Sequence, residues 1–257
     1  MEEQQQTVHD RIVSYQQEYL SDYGFEQVMV HYRQQMLLQR LEAIQPRRVL
    51  EVGCGYELLI DAYAQRGGQA DCWVIVEPGD IFYNRAMASP CQNLHVVHGF
   101  LEASSDKILS ILPEEPDYII CSGLLNEIRD PHTFLTSIRN LMGDNTLLHV
   151  NVPNAGSLHR RLAVAMGLMQ DLKTFGDRNI RLSQYRVFDR DSLQELLEAS
   201  GLRMVREGGY FLKPFTHSQM EIISRNLAMT DILEGLQRLG SELPQLAAEI
   251  YVETRKA

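Results

Sequence analysis

Apolar and polar positions in this chain alternate between two patterns. From residue 47 onward, short apolar runs at 48–52, 71–76, 94–98, 118–121 and 146–150 take turns with segments of helical period near 57–66, 79–87, 102–111 and 131–141. Runs that are apolar at nearly every position predict strands buried on both faces, and their alternation with helices predicts a parallel sheet covered on both sides. The helix at 131–141 carries its own start signal, since Asp130 can cap it and Pro131 suits its first turn. A later helix over 190–200 has Asp189 or Asp191 as its cap, Leu193, Leu196 and Leu197 on one face, and Gly201 as its stop.

The two ends of the chain follow other patterns. Phe25, Val28, Met29, Tyr32, Met36, Leu37, Leu41 and Ile44 recur at helical spacing, which predicts a helix leading into the first strand. Residues 1–45 are therefore expected to form a helical N-terminal cap ahead of a main domain spanning 46–257. Residues 202–207 and 210–212 read as strand, 216–240 as helical, and 248–254 as a final strand. The helical stretch between these strands, about 214–242, reads as an insertion.

Residues 47–57, Arg-Arg-Val-Leu-Glu-Val-Gly-Cys-Gly-Tyr-Glu, hold the densest chemical signal. An apolar run ends in Glu51 and then in two glycines one residue apart. A Cβ at Gly53 or Gly55 would restrict φ or block the approach of a ligand to backbone. A helix beginning after the turn would present free N–H groups there. A dinucleotide fingerprint would place a third glycine at position 58, where this chain has Leu58.

Composition narrows the partners. Net charge is −10 and the pI is near 5.3, which disfavours nucleic acid as a substrate. Cys54, Cys72, Cys91 and Cys121 lie in or beside apolar runs without metal-ligand spacing, so they read as reduced thiols, and no metal is implied. The acidic, polar N-terminus is unlike a secretory signal. No apolar run approaches the roughly 20 residues that would span a bilayer. The expectation is a cytoplasmic protein without a membrane partner.

The stretch Val-Leu-Glu-Val-Gly-Cys-Gly resembles the first motif of class I S-adenosylmethionine-dependent methyltransferases. The resemblance covers residues 45–155 through several ordered motifs. It implies a doubly wound, Rossmann-like α/β fold whose last strand is antiparallel, with S-adenosylmethionine as cofactor. Glu51 would approach the methionine ammonium, and Gly53, Cys54 and Gly55 would pass beneath the methionine and ribose. Tyr56 and Glu57 follow where the family usually has a small residue and another glycine. Glu77, ahead of Pro78, would accept both ribose hydroxyls. Gly99, Phe100 and Leu101 would border the adenine, with Phe100 where the family commonly places an acidic residue. Ser122 and Leu124, after the fourth strand beside Cys121, would border the cofactor.

The acceptor region is less defined. Residues 149–162, with a Val-Pro-Asn turn and then Ser-Leu-His-Arg, resemble small-molecule O-methyltransferases related to ubiquinone and sugar-modifying enzymes. A hydroxyl acceptor needs a base near its proton, and Glu127 and His159 are the candidates. Asn151, Asn154, Tyr23 and Tyr32 are candidates to contact the acceptor. The apolar stretch 158–169 is either a core helix or a lid. The function expected is methylation of a small metabolite, foremost at a hydroxyl, by a protein free to form a homodimer. Two other readings stay open: a non-catalytic cofactor-binding or partner protein of the same fold, and a nicotinamide-dependent oxidoreductase, against which Leu58 counts.

Overall fold

The computed structural model describes residues 2–21, 23–226 and 230–257. Two helices open the chain, α1 (Glu2–Ser21) and α2 (Glu26–Ile44). Then β1 (Arg48–Val52), α3 (Leu59–Gln65), β2 (Cys72–Glu77), α4 (Asp80–Met87), β3 (Leu94–His98), α5 (Ser105–Ile111), β4 (Tyr118–Ser122), α6 (Pro131–Leu141) and β5 (Leu147–Pro153) alternate. Three helices follow, α7 (Leu158–Ala165), α8 (Asp177–Arg181) and α9 (Arg190–Ala199), then β6 (Leu202–Tyr210), α10 (His217–Asn226), α11 (Thr230–Glu242) and β7 (Glu249–Lys256). The strands form one seven-stranded sheet in the order β3-β2-β1-β4-β5-β7-β6. β1 to β5 are mutually parallel, and β7 runs antiparallel to both β5 and β6.

Period-two geometry explains why the central strands carry apolar side chains on both faces of the sheet. Val49, Trp73, Ile75, Tyr118 and Ile120 face one side and pack against Leu37 and Leu41 of α2, Leu59, Ile60 and Tyr63 of α3, and Phe82 of α4. Leu50, Val52, Val74, Val76, Ile119 and Val150 face the other and meet Ile108 of α5, Phe134, Leu135 and Ile138 of α6, and Leu193 and Leu197 of α9. Each such side chain contributes about 1.5–3 kcal/mol on full burial, so both faces need helices. Polar ties fix α2 across the sheet end. Arg40 is bidentate to Glu253 at 2.7 and 2.6 Å, and the same carboxylate accepts from Tyr118 Oη at 3.0 Å.

Local signals place several boundaries. Asp130 accepts from Thr133 N at 3.1 Å ahead of Pro131, and Asp189 accepts from Ser192 N at 2.9 Å before α9. Two expectations are corrected. Residues 202–212 hold one strand instead of two, because Gly208 and Gly209 keep pairing with Tyr251 and Ile250, and the irregularity falls between Met204 and Arg206. The stretch 158–169 is not a core helix, since α7 buries none of its side chains. Among the described residues no helix is long and apolar enough to cross a membrane.

Strand order reverses between β1 and β4, and the crevice outside their carboxyl ends is where open α/β sheets bind ligands. A left-handed glycine follows each strand, Gly53 (φ +71°) and Gly123 (φ +68°). The two loops interlock, for a Cβ on Gly53 would stand 3.3 Å from the Leu124 side chain.

Candidate active site

A continuous cavity of about 1090 Å³ opens at this crevice. Small-ligand sites occupy roughly 300–1000 Å³, so this one has room for a cofactor and an acceptor together. Glu51, Gly53, Cys54, Gly55 and Tyr56 line it from the end of β1, and Glu77 and Pro78 from β2. Gly99, Phe100 and Leu101 do so after β3, and Ser122 and Leu124 at β4. The turn is open to a ligand, since a Cβ on Gly55 would meet nothing nearer than Glu57 O at 3.9 Å.

Glu77 is only 4% exposed. Its Oε1 accepts from Gly79 N at 2.8 Å and from Gln16 Nε2 at 3.1 Å, and its Oε2 accepts from Cys54 N at 3.2 Å. Gln16 belongs to α1 and also accepts from Ile81 N at 3.0 Å, so the cap helix is pinned onto the end of β2. Gly79 leaves it room, because a Cβ there would lie 2.0 Å from Gln16 Nε2. Burial raises the Glu77 carboxyl to about 7, against the pull of those N–H donors. Glu51 accepts from Trp73 Nε1 at 3.0 Å, and burial raises it also to about 7. Two buried carboxylates facing one cavity suit a ligand bringing an ammonium group and a pair of hydroxyls, which are the groups S-adenosylmethionine would present.

The opposite half of the cavity is built from charged side chains on the cap and on the loops after β4, β5 and β6. Glu127 accepts from Tyr15 Oη of α1 at 2.8 Å, and burial pushes its carboxyl up to about 8. Burial likewise pushes Glu26 up, but donors overcome it: His217 Nε2 at 3.0 Å, Arg33 at 3.2 Å and Arg178 at 3.0 Å. The net result holds Glu26 well below the usual carboxylate range. Arg33 reaches on to Glu249 and to Tyr210 Oη at 3.1 Å. His217 Nδ1 lies 2.7 Å from Lys213 Nζ. Because carboxylates only accept, His217 donates from Nε2 to Glu26 and accepts at Nδ1 from Lys213. Burial lowers the Lys213 ammonium to about 7 and takes His159 well below its usual value, leaving that imidazole neutral.

Both base candidates, Glu127 and His159, line the cavity, as do Tyr23 and Asn154. Tyr23 Oη donates to Glu57 at 3.0 Å. Asn154 spends its amide on the carbonyls of Gln245 and Ala247 and accepts from Gly156 N, so it fixes the turn. Two candidates stand elsewhere. Asn151 is fully buried within the sheet, donating to Tyr210 Oη at 3.0 Å and Glu249 at 2.8 Å. Tyr32 packs on Phe211 with ring centroids 5.1 Å apart and faces α11, outside this cavity.

Residue patterns gave no reason to single out Gln16, Glu26, Arg33 or His217. Each meets its partner far along the chain, as Gln16 does Glu77, and lies in an ordinary polar helix pattern. Lys213 carried a local signal, a lone cation in the apolar run Tyr-Phe-Leu-Lys-Pro-Phe. Among the described residues no group of three or more His, Cys, Asp and Glu side chains is arranged to hold a metal ion.

The sequence of residues 26–207 matches the family model described as "Methyltransferase domain". Solved structures similar to the chain include the plantazolicin methyltransferase BamL in complex with a triazolic desmethylPZN analog and SAH. That pair is 15% identical, with 98% of each chain covered and a TM-score of 0.55. Another is the partner of the Trm112 methyltransferase activator from Haloferax volcanii, 11% identical over 94% of this chain and 97% of that one, TM-score 0.59. A third is an S-adenosylmethionine-dependent methyltransferase from Mesorhizobium loti, 12% identical over 85% of this chain and 96% of that one, TM-score 0.53. At these identities the likeness is one of fold. A search of curated protein sequences found no match.

Proposed function

This chain belongs to the class I S-adenosylmethionine-dependent methyltransferases, and from that membership we propose that it methylates a hydroxyl oxygen of a small metabolite, with Glu127 as the base. The observation that carries the reading is the state of Glu127. It lines the same cavity as the cofactor-side residues, close after β4, and its carboxyl is raised to about 8 by burial while Tyr15 holds it in place. A base with a pKa near the working pH combines a useful deprotonated fraction with a strong pull on the substrate proton.

The cofactor supplies a sulfonium methyl group, the electrophile of an in-line displacement. Glu51, the turn at Gly53 and Gly55, and Glu77 would hold it at the mouth of β1 and β2, with Phe100 and Leu101 against its base. Glu127 would take the acceptor's hydroxyl proton as the oxygen attacks. The aromatic side chains of Tyr15, Tyr19 and Tyr23 on the cap side of the cavity exclude water from that step. His159 serves the reading better as an acceptor contact than as a base, because burial and then the neighbouring cations Lys213 and Arg160 hold its imidazole well below its usual value. The net charge of −10 favours a small molecule over nucleic acid.

Replacing Glu127 with Gln tests the role. The expected outcome is a fall in kcat of about 10²–10⁴-fold, the usual worth of a general base, with S-adenosylhomocysteine affinity unchanged. In the unmodified protein kcat should rise with pH to a plateau above about 8, where Glu127 is deprotonated. Turnover that survives E127Q within a factor of a few would remove Glu127 from the mechanism.

A further inference from the structure

Lys213 is a buried ammonium, 4% exposed, and among the described residues its one hydrogen-bond partner is the His217 imidazole. Buried charges are ordinarily met by an opposite charge in contact. The nearby carboxylates are already engaged, Glu26 by His217, Arg33 and Arg178, and Glu249 by Arg33, Asn151 and Tyr210. Arg160, in the same cavity wall, donates among the described residues only to the carbonyls of Leu172 and Thr174. Among the described residues His159 Nδ1 is buried without a partner, and Asn126, 2% exposed and also lining the cavity, has both side-chain polar atoms unpaired. Among the described residues, two cations without a contacting carboxylate and two side chains with unsatisfied polar atoms thus border one cavity.

We propose that the Lys213, His159 and Arg160 wall binds an anionic group, a carboxylate or phosphate, at the end of the acceptor remote from the methylated oxygen. The inference rests on reading the cavity as a methyl-transfer site. The cofactor carries a carboxylate of its own, but the sheet separates the two positions. The cofactor turn follows β1, whereas Lys213 follows β6, four strand spacings away in the sheet order, or about 19 Å at about 4.8 Å per strand. His159 follows β5, which lies between them. An acceptor spanning the three strand spacings from β6 back to β4, about 14 Å at about 4.8 Å per strand, would place its anion at Lys213 and its hydroxyl near Glu127. The requirement for an anion would exclude neutral analogues, because they would leave the ammonium buried and unmatched.

The test is a titration of the full chain, saturated with S-adenosylhomocysteine, with inorganic phosphate and separately with acetate at constant ionic strength. Binding is followed by thermal shift and by the ¹⁵N signals of the histidine rings. The expected result is saturable binding of at least one of the two anions that moves the His159 and His217 signals. Lys213→Met should weaken it about tenfold or more, as loss of a charge-assisted contact would, while Lys213→Arg retains it. Should Lys213→Met fail to fold, the histidine signals of the unmodified protein decide alone. Absence of saturable binding, binding seen only without S-adenosylhomocysteine, or binding unchanged in a folded Lys213→Met would overturn the proposal. In the second case the wall serves the cofactor's own carboxylate. Failure of S-adenosylhomocysteine to bind at all would instead count against the methyl-transfer reading, and the anion titration of the free protein would still report on the wall.

Discussion

Glu51 and Glu77 share one physical situation, carboxyls buried at strand ends and raised to about 7. Their unfolded value is near 4.3, so the folded protein holds these protons more tightly than the unfolded chain does. Their contribution to stability is complete below about pH 4.3 and is lost as pH rises to about 7. A ligand that brings an ammonium and hydroxyl donors favours the ionised forms instead. S-adenosylhomocysteine should therefore bind more tightly as pH rises from 6 to 8, releasing protons measurable by calorimetry in buffers of differing ionisation enthalpy. Glu77→Gln should reduce that release and weaken binding about 10- to 100-fold, the worth of hydrogen bonds to a charged acceptor at about 1.5–3 kcal/mol. Identical proton release and affinity in the variant would show that Glu77 does not meet the ligand. Glu77 could be singled out from sequence because a strand tip and its distance from Gly53 are local facts. The donors that surround it could not, since Gln16 reaches it from the cap helix.

Elements with local signals were the most legible. The bounds of α6, Pro131 to Leu141, coincide with those expected because Asp130 and Pro131 write its start into the chain. The sheet edge was harder, because Gly208 and Gly209 look like a break but pair on through the strand. Their smallness answers to a distant neighbour: a Cβ on Gly208 would meet Tyr251 Oη of β7 at 2.6 Å. A similar demand fixes α11. A Cβ on Gly240 would lie 2.3 Å from the backbone nitrogen of Phe211, just past β6, whereas Gly235 in the same helix faces nothing within 4 Å. Gly240→Ala should destabilise by about 1–3 kcal/mol through overpacking, each kcal/mol lowering Tm by about 2–4 °C in a chain of this size. Gly235→Ala should be neutral or stabilise by up to about 1 kcal/mol through helix propensity. Equal effects of the two substitutions in thermal melts would contradict this docking of α11.

At the scale of the whole molecule, the cavity is polarised along the sheet. Carboxylates stand at the ends of β1 and β2, and the cations Arg160 and Lys213, which meet no carboxylate among the described residues, stand beyond β5 and β6, with Glu127 placed after β4 between these groups in strand order. The fold class and the cavity wall at the ends of β1 and β2 were legible because a glycine turn and ordered strand tips are local patterns in the sequence. The acceptor end was not, because its charged residues come from α1, α2, α8 and the segments around α7 and α10, and only folding assembles them. The cap contributes through Tyr15, Gln16, Glu26 and Arg33, so its two helices belong to the site as much as to the scaffold. Incubating the protein with methyl-labelled S-adenosylmethionine and a small-molecule extract, then locating the label by mass spectrometry, tests the proposed reaction most directly. The expected result is label on the oxygen of a low-mass compound. Label recovered on nitrogen, or only in protein or nucleic acid when those are supplied alongside, would contradict it.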